Sequence, residues 1–257
     1  MKKKKVPALL ILCIVVLCAA FGPKLFGAVR NMTFYWTERS ETEIRVKEYG
    51  EEHGASFWDY PASLIALLER NPETEEFVLN YPFREKSGFY LTEAELAEER
   101  PLFLQWDPRW GYETYGSDCI GITGCGPTCL AMAGYYVTGD TDFNPLNVAK
   151  FALKNGYYAK GYGSSWTLIS EGGVKLGLDV TEIPLVKKRI VDNLEANNPV
   201  ILALGPGDFT TQGHYILLIG VDNGLFRVHD PNSRANSDKL WSYEELEFQI
   251  RNIWVIR

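Results

Sequence analysis

The chain begins with four consecutive lysines, Lys2 to Lys5, and then turns apolar from Val6 to Gly22, continuing more weakly through Leu25, Phe26 and Val29. A basic start ahead of an apolar run is the plan of an export signal. Two readings compete. In one the segment is cleaved, with Cys18, Ala19 and Ala20 as the processing site. In the other it stays as an anchor, because a run reaching Val29 has the roughly 20 residues that span a bilayer. The anchor is favoured, since Lys24 interrupts the run only near its end, where a long side chain snorkels. Both readings keep the lysines inside and send the rest of the chain outside.

From Thr33 to Arg100 glutamates dominate. Ser40-Glu41-Thr42-Glu43 predicts a helix start with Ile44 and Val46 as its only strong apolar anchors, in a solvated stalk or a helical collar. Tyr60-Pro61-Ala62-Ser63 opens a better helix, with Leu64, Leu67 and Leu68 on one face and Asn71-Pro72 as its stop. Glu73 to Leu79 predicts a second short helix with Phe77 and Val78 inward, ended by Tyr81-Pro82. Ser87-Gly88 and Glu99-Arg100-Pro101 bracket a loop.

The body begins near Pro101, with Pro101 to Gln105 expected as a short strand. Trp106 to Gly111 is an aromatic turn, and glycines at 116, 121, 124 and 126 make the next stretch an irregular loop. Pro127 stands where a first helical residue belongs, and Leu130, Ala133 and Val137 recur at helical spacing as far as Thr138-Gly139. Further helices are expected at Pro145–Asn155, Trp166–Leu176 and Lys187–Ala196. After Asn198-Pro199 the pattern changes to strands: Val200–Leu204, His214–Asp222 and Leu225–His229. Ser242 starts a last helix, and Ile253–Ile256 is a final strand. Helices first and an antiparallel sheet later make an α+β layout.

Composition narrows the function. A net charge of -7 argues against a nucleic-acid binder, which needs a surplus of Lys and Arg. Only 3 His and 5 Cys are present, too few and too scattered for most metal clusters, and two of those Cys lie in the first twenty residues. The remaining Cys119, Cys125 and Cys129 are no disulfide scaffold, although a Cys119–Cys129 bridge stays open.

Three places carry chemistry. Gly124-Cys125-Gly126-Pro127-Thr128 sets a thiol at a helix start, where unpaired N–H groups and the helix dipole favour the thiolate. The bland alternative is a buried inert cysteine. Cys129, inside the helix, is expected in the core, and the charge of Asp118 disfavours ionisation of Cys119. Second, His214 enters a strand directly after the polar, Gly-rich loop Gly205–Gly213, a candidate lid. Third, Asp230-Pro231 ends the next strand and is either a turn starter or a carboxylate that orients an imidazole. If Asp222-Asn223-Gly224 is a three-residue loop, Val221 pairs with Leu225 and Asp230 with Ile216, on the face of His214. A tight Asn223-Gly224 turn shifts the register by one and turns Asp230 away. Trp106, Trp110 and Trp166 are core or groove residues.

Leu104-Gln105-Trp106-Asp107, Gly124 to Met132, Gly213-His214-Tyr215 and Asp230-Pro231-Asn232-Ser233 together resemble the C39-like cysteine peptidases of bacteria. The resemblance covers roughly Tyr60 to Arg257. It implies a papain-like fold with Cys125 as nucleophile, His214 as general base, Asp230 as orienting group and Gln105 as oxyanion donor. No metal or organic cofactor is implied. The best-known members are fused to transporters and cut leader peptides after a double glycine. This chain carries no transporter or ATP-binding module, so their substrate is not carried over. The resulting division is 1–30 signal-anchor or signal peptide, 31–59 acidic stalk, 60–100 helical lead-in and 101–257 C39-like peptidase domain. The expected protein is an exported, membrane-tethered monomer acting on a peptide or protein, or on cell-wall peptide. Two rival readings are a binding module that has lost turnover and a wall-peptide amidase or transpeptidase on the same fold.

Overall fold

The computed structural model describes residues 38–86 and 88–257, together with Gly22 and Phe34. The basic and apolar segment expected to direct export lies outside the described residues. Among the described residues no helix is long and apolar enough to cross a membrane. The chain divides into two units, Met1–Phe57 and Trp58–Arg257.

In the first unit, α1 (Glu41–Glu52) starts at Ser40 as its sequence predicts. The Ser40 side chain accepts from Glu43 N–H while the Glu43 carboxylate accepts from Ser40 N–H, a reciprocal cap. Ion pairs Arg39–Glu43 and Lys47–Glu51, one turn apart, line the helix. Of the two apolar anchors, Val46 is buried and Ile44 is exposed.

The second unit opens with the lead-in helices. In α2 (Ala62–Arg70) Leu64, Ile65, Leu67 and Leu68 are buried. Asn71 ends it, and its side chain accepts from Glu73 N–H to start the next turn. α3 (Glu75–Leu79) buries Phe77 and Val78. The expected loop from 88 to 100 contains a further short helix, α4 (Glu93–Ala97), closed by a Thr92–Glu95 capping box. Pro101 to Gln105 is not a strand. Phe103 N–H donates to Met132 Sδ and Gln105 N–H to Pro231 O, so the segment's donors meet a side chain and a turn instead of a ladder.

α5 (Cys125–Thr138) begins two residues before Pro127 and is the central helix, buried from Gly126 to Gly134. Gly139, at φ 69°, ends it in the left-handed region that glycine tolerates. α6 (Pro145–Lys154) packs beside it, capped by Asn144. The expected helix at 166–176 is broken into a wide turn, Leu168–Gly172, and a short helix, Gly173–Lys175. Adjacent Gly172 and Gly173 weaken helical continuity there. α7 (Lys187–Glu195) is amphipathic, with Ile190 and Leu194 inward.

The sheet is antiparallel throughout, with six strands: β1 (Val180–Glu182), β2 (Val200–Leu204), β3 (His214–Asp222), β4 (Leu225–His229), β5 (Leu240–Trp241) and β6 (Ile250–Ile256), in the order β1-β6-β2-β3-β4-β5. Two short helices, α8 (Arg234–Asp238) and α9 (Tyr243–Leu246), flank β5. β2 and the first half of β3 are buried on both sides. Ile201, Ala203, Tyr215, Leu217 and Trp254 share one core with Cys129, Leu130 and Met132 of α5. Val200, Leu202, Ile216, Leu218 and Val255 share the other with Ile190 and Leu194 of α7. Period-two alternation thus feeds two cores, and so β2 reads as an unbroken apolar run.

The β3–β4 turn departs from the longer loop that a Cys–His–Asp arrangement was expected to need. Asp222 pairs with Leu225, leaving Asn223 and Gly224 as a tight turn with φ 51° and 81°. The register is restored by a bulge: Gly220 pairs with Arg227 but Leu218 with Val228, leaving Ile219 as the extra residue. Carried two residues further, this register sets Asp230 across from Ile216, on the side of His214.

Candidate active site

Cys125 is the first residue of α5. A single turn, Ile120–Thr123, and Gly124 lead into it. The first N–H groups of a helix have no partner within it, so the partly buried thiol sits among free donors. Gly126 is required by a close approach: a Cβ there would lie 2.7 Å from Ser164 Oγ. Ser164 in turn meets Tyr115 Oη at 2.7 Å and accepts at its carbonyl from Tyr215 Oη at 3.3 Å. Burial raises both phenols, so this wall beside Cys125 is neutral and hydrogen-bonded.

His214, first residue of β3, is 8% exposed, and Asp230 is 1% exposed. Nε2 of the ring lies 2.7 Å from Asp230 Oδ1. That contact leaves Nδ1 as the ring nitrogen not engaged by Asp230, and the Cys125 thiol is near enough to act on the imidazole. Burial opposes charge on the ring. The charge of Asp230, its hydrogen bond and the contact with Cys125 outweigh burial and raise the imidazole to about 10.

Asp230 is itself held. Asn232 N–H donates to Oδ1 at 2.8 Å and Asn236 Nδ2 to Oδ2 at 2.8 Å, while Asp230 N–H donates to Ser237 Oγ at 2.9 Å. Asn236 and Ser237 belong to α8 and were not singled out in the sequence; the Asp-Pro-Asn-Ser turn ahead of them was the available signal. Gln105 is 3% exposed, and its N–H donates to Pro231 O at 2.7 Å, tying it to the Asp230 turn. Its Nε2 donates to Gly121 O at 2.9 Å, which employs one of two amide hydrogens. Its Oε1 is buried with no partner among the described residues.

The structure therefore brings all four sequence candidates, Gln105, Cys125, His214 and Asp230, to one end of α5 and the sheet. The other candidates resolve differently. Cys129 is wholly buried, and burial raises its thiol well above the ordinary range. Burial and the charge of Asp118 push Cys119 up to about 12. Both thiols are free. His229 contacts Tyr136 Oη through Nδ1 at 2.8 Å, and burial with nearby Arg100 lowers it to about 4. Trp110 is core, Trp106 donates to Asn232 O and Trp166 is half-exposed. The Gly205–Gly213 loop is pinned: Gln249 exchanges hydrogen bonds with Asp208, and the Phe209 ring packs tilted against Trp241.

A thiol at a helix start stands with a paired imidazole and carboxylate on an α+β domain, the residue types a nucleophilic site uses. Residues 98–256 match the family described as Peptidase_C39 like, and the chain belongs to that family. Two solved structures are similar in fold. One is the peptidase domain of Streptococcus ComA, a bifunctional ABC transporter involved in a quorum-sensing pathway: identity is 20%, the TM-score 0.40, and the match covers 52% of this chain and 89% of that one. The other is a protein from Bacillus anthracis described as a C39-like peptidase, at 15% identity and TM-score 0.42, covering 62% of this chain and 94% of that one. No curated protein matches the chain.

Proposed function

We propose that the protein is a cysteine peptidase that cleaves amide bonds with Cys125, His214, Asp230 and Gln105. The observation that carries this reading is the buried pair of His214 and Asp230, Nε2 to Oδ1 at 2.7 Å, with the Cys125 thiol near enough to act on the same ring. His214 takes the thiol proton, and the helix start and the imidazolium stabilise the thiolate. Asp230 fixes the ring's tautomer and orientation. The thiolate attacks the amide carbonyl, and the developing oxyanion accepts from Cys125 N–H and the second Nε2 hydrogen of Gln105. The loss of one such donor typically costs roughly 3 kcal/mol of transition-state stabilisation. His214 then protonates the leaving amine, and water activated by His214 hydrolyses the thioester.

Incubation of the purified full chain with unfolded casein and with wall peptides, each against Cys125→Ala, tests this. New amino termini in casein, absent with the variant, are expected. Cleavage of wall peptide alone makes the chain a wall amidase, and no cleavage of either leaves a binding module. We further propose that the amino-terminal segment tethers this body outside the membrane. Protease added to intact cells should then degrade the body, and full protection would contradict the tether.

A further inference from the structure

The family match begins at residue 98, yet the site is also held by residues well before it. The Glu73 carboxylate faces the first turn of α8. Its Oε1 accepts from Ser233 Oγ at 2.7 Å and from Ala235 N–H at 3.3 Å, and its Oε2 accepts from Arg234 N–H at 2.9 Å. Asn71 Nδ2 donates to Asn232 O at 2.5 Å from the same lead-in turn. Ser233 Oγ also accepts from Asn236 N–H at 3.1 Å, and Asn236 is the residue whose side chain holds Asp230 Oδ2. The contacts run in one line from Glu73 through Ser233 and Asn236 to Asp230 and His214. A negative carboxylate on the free N–H groups of a helix's first turn is the favourable arrangement.

We infer that Glu73 is a positioning residue of the active site: it fixes the start of α8 so that Asn236 and the 230–233 turn hold the Asp230 carboxylate on His214. The lead-in is then a working part of the catalytic frame. A spacer would have no reason to aim a carboxylate at this turn. The inference rests on the Cys125–His214–Asp230 reading above.

The test uses iodoacetamide as the probe and mass spectrometry to assign Cys125. The full-length chain is alkylated at pH 6 and pH 9, as wild type, His214→Ala, Glu73→Ala and Glu73→Gln, with thermal unfolding followed in parallel. A group acting through Asp230 alters the thiolate–imidazolium pair, so Glu73→Ala should lower the pH 6 rate relative to the pH 9 rate roughly three- to tenfold. Glu73→Gln keeps the acceptor for Ser233 but loses the one for Arg234 N–H, and should fall between. A wild-type ratio in both variants overturns the inference, as does a rate that drops only with the folded fraction while the surviving protein keeps the wild-type ratio. If Glu73→Ala does not fold, the isosteric Glu73→Gln decides alone. Failure of the underlying reading looks different: the wild-type ratio would then equal that of His214→Ala.

Discussion

At the scale of single residues, two histidines are driven in opposite directions by their surroundings. His229 is lowered to about 4 by burial and Arg100, whereas His214 is raised to about 10 against its burial by Asp230 and Cys125. Their linkage to stability has opposite signs. Between about pH 4 and the ordinary imidazole value near 6.5, the unfolded chain binds more protons at residue 229, so stability rises with pH. Above that value the folded chain binds more protons at residue 214, so that contribution, complete below about 6.5, is lost as pH climbs towards 10. Urea unfolding across this range should give a maximum near neutrality. His214→Ala should flatten the alkaline fall and leave the acidic one. An alkaline fall of the same size in the variant would show that the ion pair carries no stability. Three of the four candidate residues stood out because each sits in a short, chemically marked context: a glycine-flanked Cys two residues before Pro, a His at a loop-to-strand junction, an Asp before Pro; Gln105 was named only through the family resemblance. Asn236, Ser237 and Glu73 carry no such mark. Their roles exist only because tertiary folding brings α8 and the lead-in to the Asp230 turn.

At the scale of elements, Val200–Leu204, His214–Asp222 and Leu225–His229 were readable to the residue, since β-branched and apolar runs bounded by Gly, Pro and Asn are strong strand signals. The connection inside that sheet was not. Asn223-Gly224 makes the tight turn its sequence favours, and the bulge at Ile219 corrects the register that this turn alone would set wrongly. A bulge of an ordinary apolar residue leaves no trace in a hydrophobic pattern. The same blindness affects Pro101–Gln105, whose apolar pattern suits a strand but whose N–H groups go to Met132 and Pro231. The two-versus-one count at the bulge makes a specific prediction. Deletion of Ile219 straightens β3 while keeping Ile216 opposite Asp230. It also removes the carbonyl that accepts from Arg100 Nη1. The deletion variant should therefore lose stability yet keep the wild-type pH 6 to pH 9 ratio of Cys125 alkylation. A ratio fallen to that of Asp230→Ala would show that the bulge does more than set register.

At the scale of the whole molecule, the α+β order of helices then antiparallel sheet was legible. What the pattern missed is that Asn71 and Glu73 reach residues 232 to 235, a contact spanning some 160 positions. Long-range contacts of this kind have no local periodicity to betray them. The central claim is the coupling of Cys125 to His214, and the pH dependence of Cys125 alkylation by iodoacetamide in wild type and His214→Ala tests it most directly. An uncoupled thiol, with a pKa of about 8.5, keeps well under about 1% of its pH 9 rate at pH 6. Wild-type Cys125 should keep at least about a tenth, because His214 holds the proton at both values, and His214→Ala should drop to the level of an uncoupled thiol. Identical profiles in the two proteins would contradict the account.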